Sequence, residues 1–74
     1  MIRLGIGVNP DTALGETLAR NLDSHHLLSV VTSRQGAALD LTYTGLLKTS
    51  ASAVALVAEL NKVEGVQGVE WKNA

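Results

Sequence analysis

Aliphatic residues alternate with small or charged residues along the first strand-like stretch of the chain. Large aliphatic side chains occupy every second position from residue 2 to residue 8, with one arginine and two glycines between them. A repeat of two residues is typical of a strand with one buried face, because successive side chains point to opposite sides of a sheet. The pattern therefore predicts a first strand over Ile2–Val8.

A helical repeat of leucines follows this strand. Asn9 and Pro10 predict the cap and the first residue of a helix, because the asparagine side chain can accept a free helix N–H and proline has no N–H to lose. Leucines then recur every four residues up to Leu22, which is the spacing of one helix face. We predict a first helix over Pro10–Leu22.

Two β-rich segments come next and predict an antiparallel hairpin. A polar break at residues 23–26 precedes the aliphatic segment Leu27–Ser33. The short turn Arg34–Gly36 joins it to Ala37–Leu47, where leucine and tyrosine alternate with aspartate and threonine. Gly36 can adopt the positive φ that such a turn favours.

A second helix and a last strand complete the pattern. Aliphatic residues share one helical face from Ala53 to Val63, and the hydroxyl residues just before them can cap the helix. Gly65 stands where a helix end favours a left-handed residue. The segment Val66–Lys72 predicts the fourth strand.

The element order is that of two strand–helix–strand halves. It predicts one α+β domain over residues 1–74 with a ferredoxin-like βαββαβ fold, in which both helices cover one face of a four-stranded antiparallel sheet. Strict alternation in strand two places Leu28 and Val30 on one side and Leu27 and Val31 on the other, so we expect aliphatic residues on the open face as well. An exposed apolar face predicts a partner, either a second copy or the rest of a longer chain. The candidate interface residues are Gly5, Gly7, Leu27, Val31 and Trp71.

Composition removes several function classes. A core of this size rarely supplies more than about 3–5 kcal/mol, and with no cysteine the chain has neither disulfides nor thiolate metal ligands. Six basic and seven acidic residues, with one tyrosine, one tryptophan and no phenylalanine, argue against a nucleic-acid partner. No uninterrupted apolar stretch predicts direct insertion into a membrane, and we expect a cytoplasmic protein.

No group of residues predicts catalysis or a cofactor. The seven carboxylates are scattered over different elements, and the chain has no Gly-x-Ser-x-Gly turn to expose a nucleophile. His25 and His26 are adjacent, so on a strand they would point to opposite faces and could not bind one metal in the usual way. Gly5 and Gly7 resemble the start of a dinucleotide-binding fingerprint, but the third glycine is missing. We therefore expect a protein that is not an enzyme and has no catalytic residues, metal ligands or cofactor.

The turn between the first strand and the first helix is the candidate ligand site. Free N–H groups at a helix start suit an anion, and the candidate residues are Asn9, Pro10, Asp11 and Thr12. A plain helix cap is the simpler interpretation of the same residues.

Two segments resemble ACT-like regulatory domains. The segment Val63–Trp71 resembles the ending of that group, a helix followed by Gly-Val-x-x-Val. The hairpin from Leu27–Val30 through Leu41–Tyr43 is similar to the cytosolic C-terminal domains of a family of uncharacterised bacterial membrane proteins, and magnesium-transport-associated virulence proteins carry comparable tails. The resemblance implies a non-catalytic regulatory or assembly domain on the cytosolic side of a bacterial membrane protein. The exposed apolar face predicts the form of assembly, a homodimer or packing against the rest of a longer chain.

The same resemblance implies an alternative function. ACT-like domains bind small effectors such as amino acids at the turn after strand one. In amino-acid-binding members this turn usually reads Asp-x-Pro-Gly-x-Leu, whereas this chain has Asn9–Thr12 and its glycine, Gly15, lies within the helix. An effector-sensing domain therefore stands beside the assembly role as the second hypothesis.

Overall fold

The computed structural model describes residues 1–72 and has the predicted architecture. The elements are β1 Ile2–Gly5, α1 Pro10–Asn21, β2 Leu22–Ser33, a single 3₁₀ turn Arg34–Gly36, β3 Ala38–Leu47, α2 Ala53–Asn61 and β4 Val66–Val69. The four strands form one antiparallel sheet in the order β2-β3-β1-β4. The α+β ferredoxin-like fold is thus confirmed.

The core is a small set of aliphatic residues between the two helices and the centre of the sheet. Leu4 and Leu41 on the sheet and Leu14 and Leu56 on the helices are almost fully removed from solvent. Leu22 is the only residue of β2 that belongs to this cluster. Within the described residues, the buried members of this cluster are Ile2, Leu4, Leu14, Leu18, Leu22, Leu41, Leu56 and Leu60.

The helix ends follow the local signals in the sequence. The Asn9 side chain accepts a hydrogen bond from the Asp11 amide at 2.9 Å, and Pro10 is the first helical residue. The Ser52 hydroxyl accepts from the Ala55 amide at 3.1 Å and caps α2. Gly65 has the predicted positive φ, 92°, but it lies in the turn before β4 and not at the end of α2, whose C-cap is Lys62.

Three predicted boundaries are wrong by three residues or more, and the ends of α1 and α2 and the start of β3 differ by one or two residues. The first strand ends at Gly5 instead of Val8, because Gly7, at a φ of 91°, turns the backbone away from the sheet. The second strand begins at Leu22, since the polar residues after α1 pair with β3 instead of forming a break. The last strand ends at Val69, short of Lys72.

Replacing Leu4 by alanine is expected to remove most of the stability of the domain. Leu→Ala changes in a core cost about 2–5 kcal/mol, which is comparable to the about 3–5 kcal/mol that a core of this size supplies. Urea unfolding followed by circular dichroism should show a strongly lowered midpoint or no cooperative transition.

The control is Val54→Ala, because Val54 is the most exposed aliphatic residue of the described chain. This variant should stay within about 0.5 kcal/mol of the wild type. Equal losses in both variants would contradict the core assignment.

Candidate interaction surface

The long outer strand β2 is the main candidate surface. It has twelve residues and lies at the edge of the sheet, with β3 as its only neighbour in residues 1–72. The backbone N–H and C=O groups on its outer side therefore lack a strand partner, which makes an edge ready to pair with another chain. The opposite edge, β4, is only four residues long and offers much less backbone.

A bulge in β2 decides which side chains share a face. Leu27 lies opposite Tyr43 and Val30 lies opposite Leu41, and the extra residue between them is Leu28. Directly opposite residues of an antiparallel pair point to the same side of the sheet. Leu27 and Val30 therefore both lie on the face that carries the helices. The expectation that they lie on different sides is wrong, because simple alternation does not count the inserted residue.

Four aliphatic residues of β2 are exposed and define what we call the β2 patch. Their exposed fractions are 46% for Leu27, 64% for Leu28, 53% for Val30 and 56% for Val31. Natural sheets usually protect an edge by short length, lysine or proline. Here the edge combines length with adjacent aliphatic side chains. Leu27 and Val31 were predicted from the sequence as interface residues, whereas Leu28 and Val30 were not, and the structure shows that all four are exposed.

The patch is exposed because the helix layer does not reach it. Leu27 and Val30 lie on the helix side of the sheet, yet each is about half exposed. Only Leu22, at the start of β2, packs into the core beneath the helices. The edge strand therefore extends past the cover that α1 and α2 provide.

The open face of the sheet is more polar at its centre than expected. The Arg3 guanidinium donates to both carboxylate oxygens of Asp40, at 2.8 and 3.1 Å, across the β1–β3 pair. The Ser33 hydroxyl donates to the same carboxylate at 3.3 Å. Val31 lies opposite Asp40 on this face, as predicted, but Leu27 does not. The apolar surface is thus concentrated along the β2 edge and does not cover the whole open face.

The ion pair shifts the pKa of both partners. Its hydrogen bonds hold the pKa of Asp40 below the ordinary value of 3.8, with the charge of Arg3 and the Ser33 hydroxyl adding to the effect. The hydrogen bond from Arg3 to Asp40, followed by their charge attraction, raises the pKa of Arg3. The pair therefore stays charged over the whole neutral range.

The predicted interface residues do not form one surface. Leu27 and Val31 lie on β2, whereas Trp71 follows β4 at the opposite edge and packs against the core. Gly5 is the last residue of β1, and a Cβ there would lie 3.6 Å from Gln67 and from the Gly65 carbonyl. Gly7 lies outside the sheet, in the turn before α1, and not in a strand as predicted.

The turn before α1 borders a shallow groove of about 440 Å³. Asn9 and Thr12 line it, but the Asn9 side-chain oxygen Oδ1 already accepts the hydrogen bond from the Asp11 amide that caps α1. Glu64 lies on the other wall and adds a negative charge that opposes an anion. Pro10 and Asp11 are not part of the lining. A larger groove of about 610 Å³, which the sequence does not indicate, lies between the second half of β3 and Glu70–Lys72.

The two histidines lie in β2 and point to opposite faces. His25 pairs with Gly45 and His26 with Thr44, so the adjacent pair does not converge on one point. The His25 ring lies 6.1 Å from the ring of Tyr43, whose pKa is raised by partial burial and, to a lesser extent, by the charge of Asp11. Within residues 1–72 no three histidine or acidic side chains come together as metal ligands would.

Comparison of the chain with protein-family models, curated proteins and solved structures found no match. Neither helix in the described part of the chain is long and apolar enough to cross a membrane.

Changing Asp40 to asparagine is expected to lower stability in a way that depends on pH. A carboxylate whose pKa is lowered in the folded state contributes stability that is fully present above its unfolded pKa, near 3.8. That contribution declines as the pH falls through the folded pKa. Urea unfolding from pH 7 to pH 2 should show a difference between wild type and variant that is constant near neutrality and shrinks below about pH 4.

The reciprocal variant Arg3→Gln removes the other partner and should show the same convergence with wild type at low pH. A difference between wild type and Asp40→Asn that persists unchanged to pH 2 would contradict the role of the ion pair.

Proposed function

We propose that this chain is a non-catalytic protein-interaction domain that serves assembly or regulation and docks through the β2 patch. The observation that carries the proposal is the combination of a long unpaired strand edge with four exposed aliphatic side chains. Strand addition to such an edge supplies main-chain hydrogen bonds, and the side chains on either face supply specificity.

Energy considerations support an interacting role. Burial of apolar surface contributes about 25 cal/mol per Å², and a core of about 3–5 kcal/mol leaves a small domain in need of additional stabilisation. Covering the β2 patch would remove its aliphatic side chains from water and satisfy the edge backbone at the same time. Binding that favours the folded state also raises its apparent stability.

The wider setting that we propose comes from the resemblance to ACT-like tails of bacterial membrane proteins. It places the domain in the cytoplasm, attached to a longer chain or paired with a second copy. The test is the parent reading frame, which should contain membrane-spanning segments upstream of this domain. A parent frame without such segments would overturn this setting and leave the interaction role intact.

The central test replaces one residue of the patch by lysine. Val30→Lys puts a charge at a position that the proposed contact buries, where an unpaired charge is costly. We expect the wild type to associate reversibly in sedimentation velocity as its concentration rises, and Val30→Lys to weaken association by more than about tenfold.

Val54→Lys is the matched control, because Val54 is 82% exposed and lies on α2, away from β2. It should associate like the wild type, and circular dichroism should show that both variants are folded. A wild type that remains monomeric up to millimolar concentration, or equal effects of the two lysines, would contradict the proposal.

Effector sensing at the turn before α1 is the second candidate, favoured by the groove beside Asn9 and Thr12. Amino acids and small anions should then raise the melting temperature of the wild type in a thermal-shift screen. The same ligand should give no shift with Asn9→Ala.

Ser52→Ala is the control for this screen, since it removes the cap of the other helix at a similar cost of about 1 kcal/mol. It should keep the ligand-induced shift relative to its own melting temperature. No shift with any ligand, or a shift that survives Asn9→Ala, would remove this turn as a binding site.

A further inference from the structure

We propose that the groove between the second half of β3 and Glu70–Lys72 is a slot for an added stretch of strand, and that the segment joining Met1 to the rest of a longer chain occupies it. This inference rests on the setting in a longer chain that the proposed function gives the domain, and it specifies how the two are connected. The joining segment would extend β1 by about four residues, or about 13 Å at 3.3 Å per residue.

The slot has the width of one strand. The first residue of β1, Ile2, pairs with Leu41 on one side and with Val69 on the other. Past Leu41, β3 continues to Leu47 with only β2 as a strand neighbour in the described chain. Glu70–Lys72 form the opposite wall of the groove. Strands that flank a third strand lie about 10 Å apart, so an extended backbone in line with β1 fits between these walls.

Backbone groups of β3 point into the slot at every second residue. The Ile6 N–H donates to the Ala37 carbonyl at 3.2 Å, so the odd-numbered residues that follow along β3 direct their N–H and C=O groups towards β1. Tyr43 and Gly45 continue this alternation beyond the start of β1. Within residues 1–72 no strand pairs with them on this side. An extended segment in the slot would supply hydrogen-bond partners for both.

The opposite wall continues the same alternation. Met1 and Glu70 exchange two hydrogen bonds of 2.8 Å, one in each direction, and Lys72 is the next residue with the same orientation. An occupant in line with β1 therefore bonds β3 through its first and third residues before Met1, and the opposite wall through its second. Both walls run antiparallel to β1, so the occupant reaches Met1 with its carboxyl end. A segment joined covalently to Met1 meets this condition without a gap, which a separate peptide does not.

The helix side of the slot is apolar. Tyr43 and Trp71 pack against the core at its two walls. Gly45 contributes no side chain between them, and a Cβ there would come within 2.7 Å of the Ser24 carbonyl oxygen. A small apolar cleft of about 40 Å³ opens beside these residues towards the core. The cleft can take aliphatic side chains from the occupant.

Alternation from Ile2 assigns the faces of the occupant. Ile2 is buried in the core, so the first and third residues before Met1 share its face and point to the apolar cleft. The second and fourth residues point to the open face, towards Thr44 and Lys72, which also line the groove. The slot therefore fits a segment that reads polar-apolar-polar-apolar up to Met1.

This connection fixes the orientation of the β2 patch. β1 lies inside the sheet, between β3 and β4. A segment that continues β1 and is paired on both sides is held by the sheet, whereas a solvated linker would let the domain turn freely. The position of the β2 patch relative to the rest of the chain is then set by β1.

A four-residue extension of the chain tests the slot. Thr-Val-Thr-Val placed before Met1 puts both valines on the cleft side. Val-Thr-Val-Thr is the matched control, because it has the same composition and puts the valines on the open face. The first extension should raise the folding equilibrium constant from urea unfolding at least about tenfold above the second, since only the first buries its valines.

Amide hydrogen exchange reports on the slot itself. With the Thr-Val-Thr-Val extension, the amides of Tyr43 and Gly45 should exchange at least about tenfold more slowly than with the control extension, because they gain hydrogen-bond partners. The amides of Thr42 and Thr44 face β2 and serve as the internal reference. Their protection should change only as much as the global stability does.

The parent reading frame gives an independent readout. Apolar residues at the first and third positions before Met1 support the inference. Polar residues at both positions contradict it, as does a proline at either, because proline has no N–H to donate to β3. A frame that begins at Met1 also overturns it.

The outcomes separate this inference from the proposed function. Equal effects of the two extensions, or unchanged exchange at Tyr43 and Gly45, overturn the slot and leave the role of the β2 patch to the Val30→Lys test. Protection of both amides by free Thr-Val-Thr-Val peptide at millimolar concentration, without protection by the joined extension, overturns the assignment in favour of a separate partner. A wild type that stays monomeric contradicts the docking role and leaves the exchange result standing.

Discussion

The size of the helix layer is the constraint on which the rest of this structure depends. Helix α2 has nine residues and spans about 14 Å at 1.5 Å per residue. Strand β2 has twelve residues, whose eleven steps span about 36 Å at 3.3 Å per residue, close to the 38 Å longest extent of the described molecule. Two short helices can cover the centre of such a sheet but not its outer strand.

The core and the exposed edge are two consequences of this mismatch. Leu4 and Leu41 of the sheet pack with Leu56 of α2 in the core and stabilise the centre of the sheet. Leu27 and Val30 lie on the same side of the sheet but outside that cover, and so stay in contact with water. The part of the sheet that the helices cover is therefore stabilised by core packing, and the part along β2 that they leave uncovered exposes apolar side chains to water.

The open face of the sheet, which carries no helices, is polar at its centre. Arg3 and Asp40 pair across β1 and β3 with two hydrogen bonds, so the centre of that face is polar and well satisfied. Four of the exposed large aliphatic residues nevertheless lie together on β2, which gives a potential partner a defined edge to recognise, while Leu46, Ile6 and Val54 are exposed elsewhere. Docking at an edge also leaves both helices and the groove beside Asn9 accessible, so assembly and effector binding would not exclude each other.

Local signals in the sequence predicted the elements because they act over a few residues. Asn9 with Pro10 begins α1 and Ser52 caps α2, in each case through a hydrogen bond within the first turn of the helix. The order of these elements was enough to predict the ferredoxin-like fold. Where the prediction failed locally, as at the end of β1, the positive φ of Gly7 outweighed a continuing alternation.

The candidate surface depended on information that no single segment carries. The sequence by itself determined the order of the strands and helices and the presence of aliphatic residues in β2, whereas Ile6, which it placed on a buried face, is exposed. Only the tertiary structure decided that Leu28 is an inserted residue, that Leu27 and Val30 share a face, and that the helices leave both uncovered. The physical reason is that a bulge and the reach of a helix layer are set by the pairing of distant segments, whereas alternation along the chain reports only a residue's immediate neighbours.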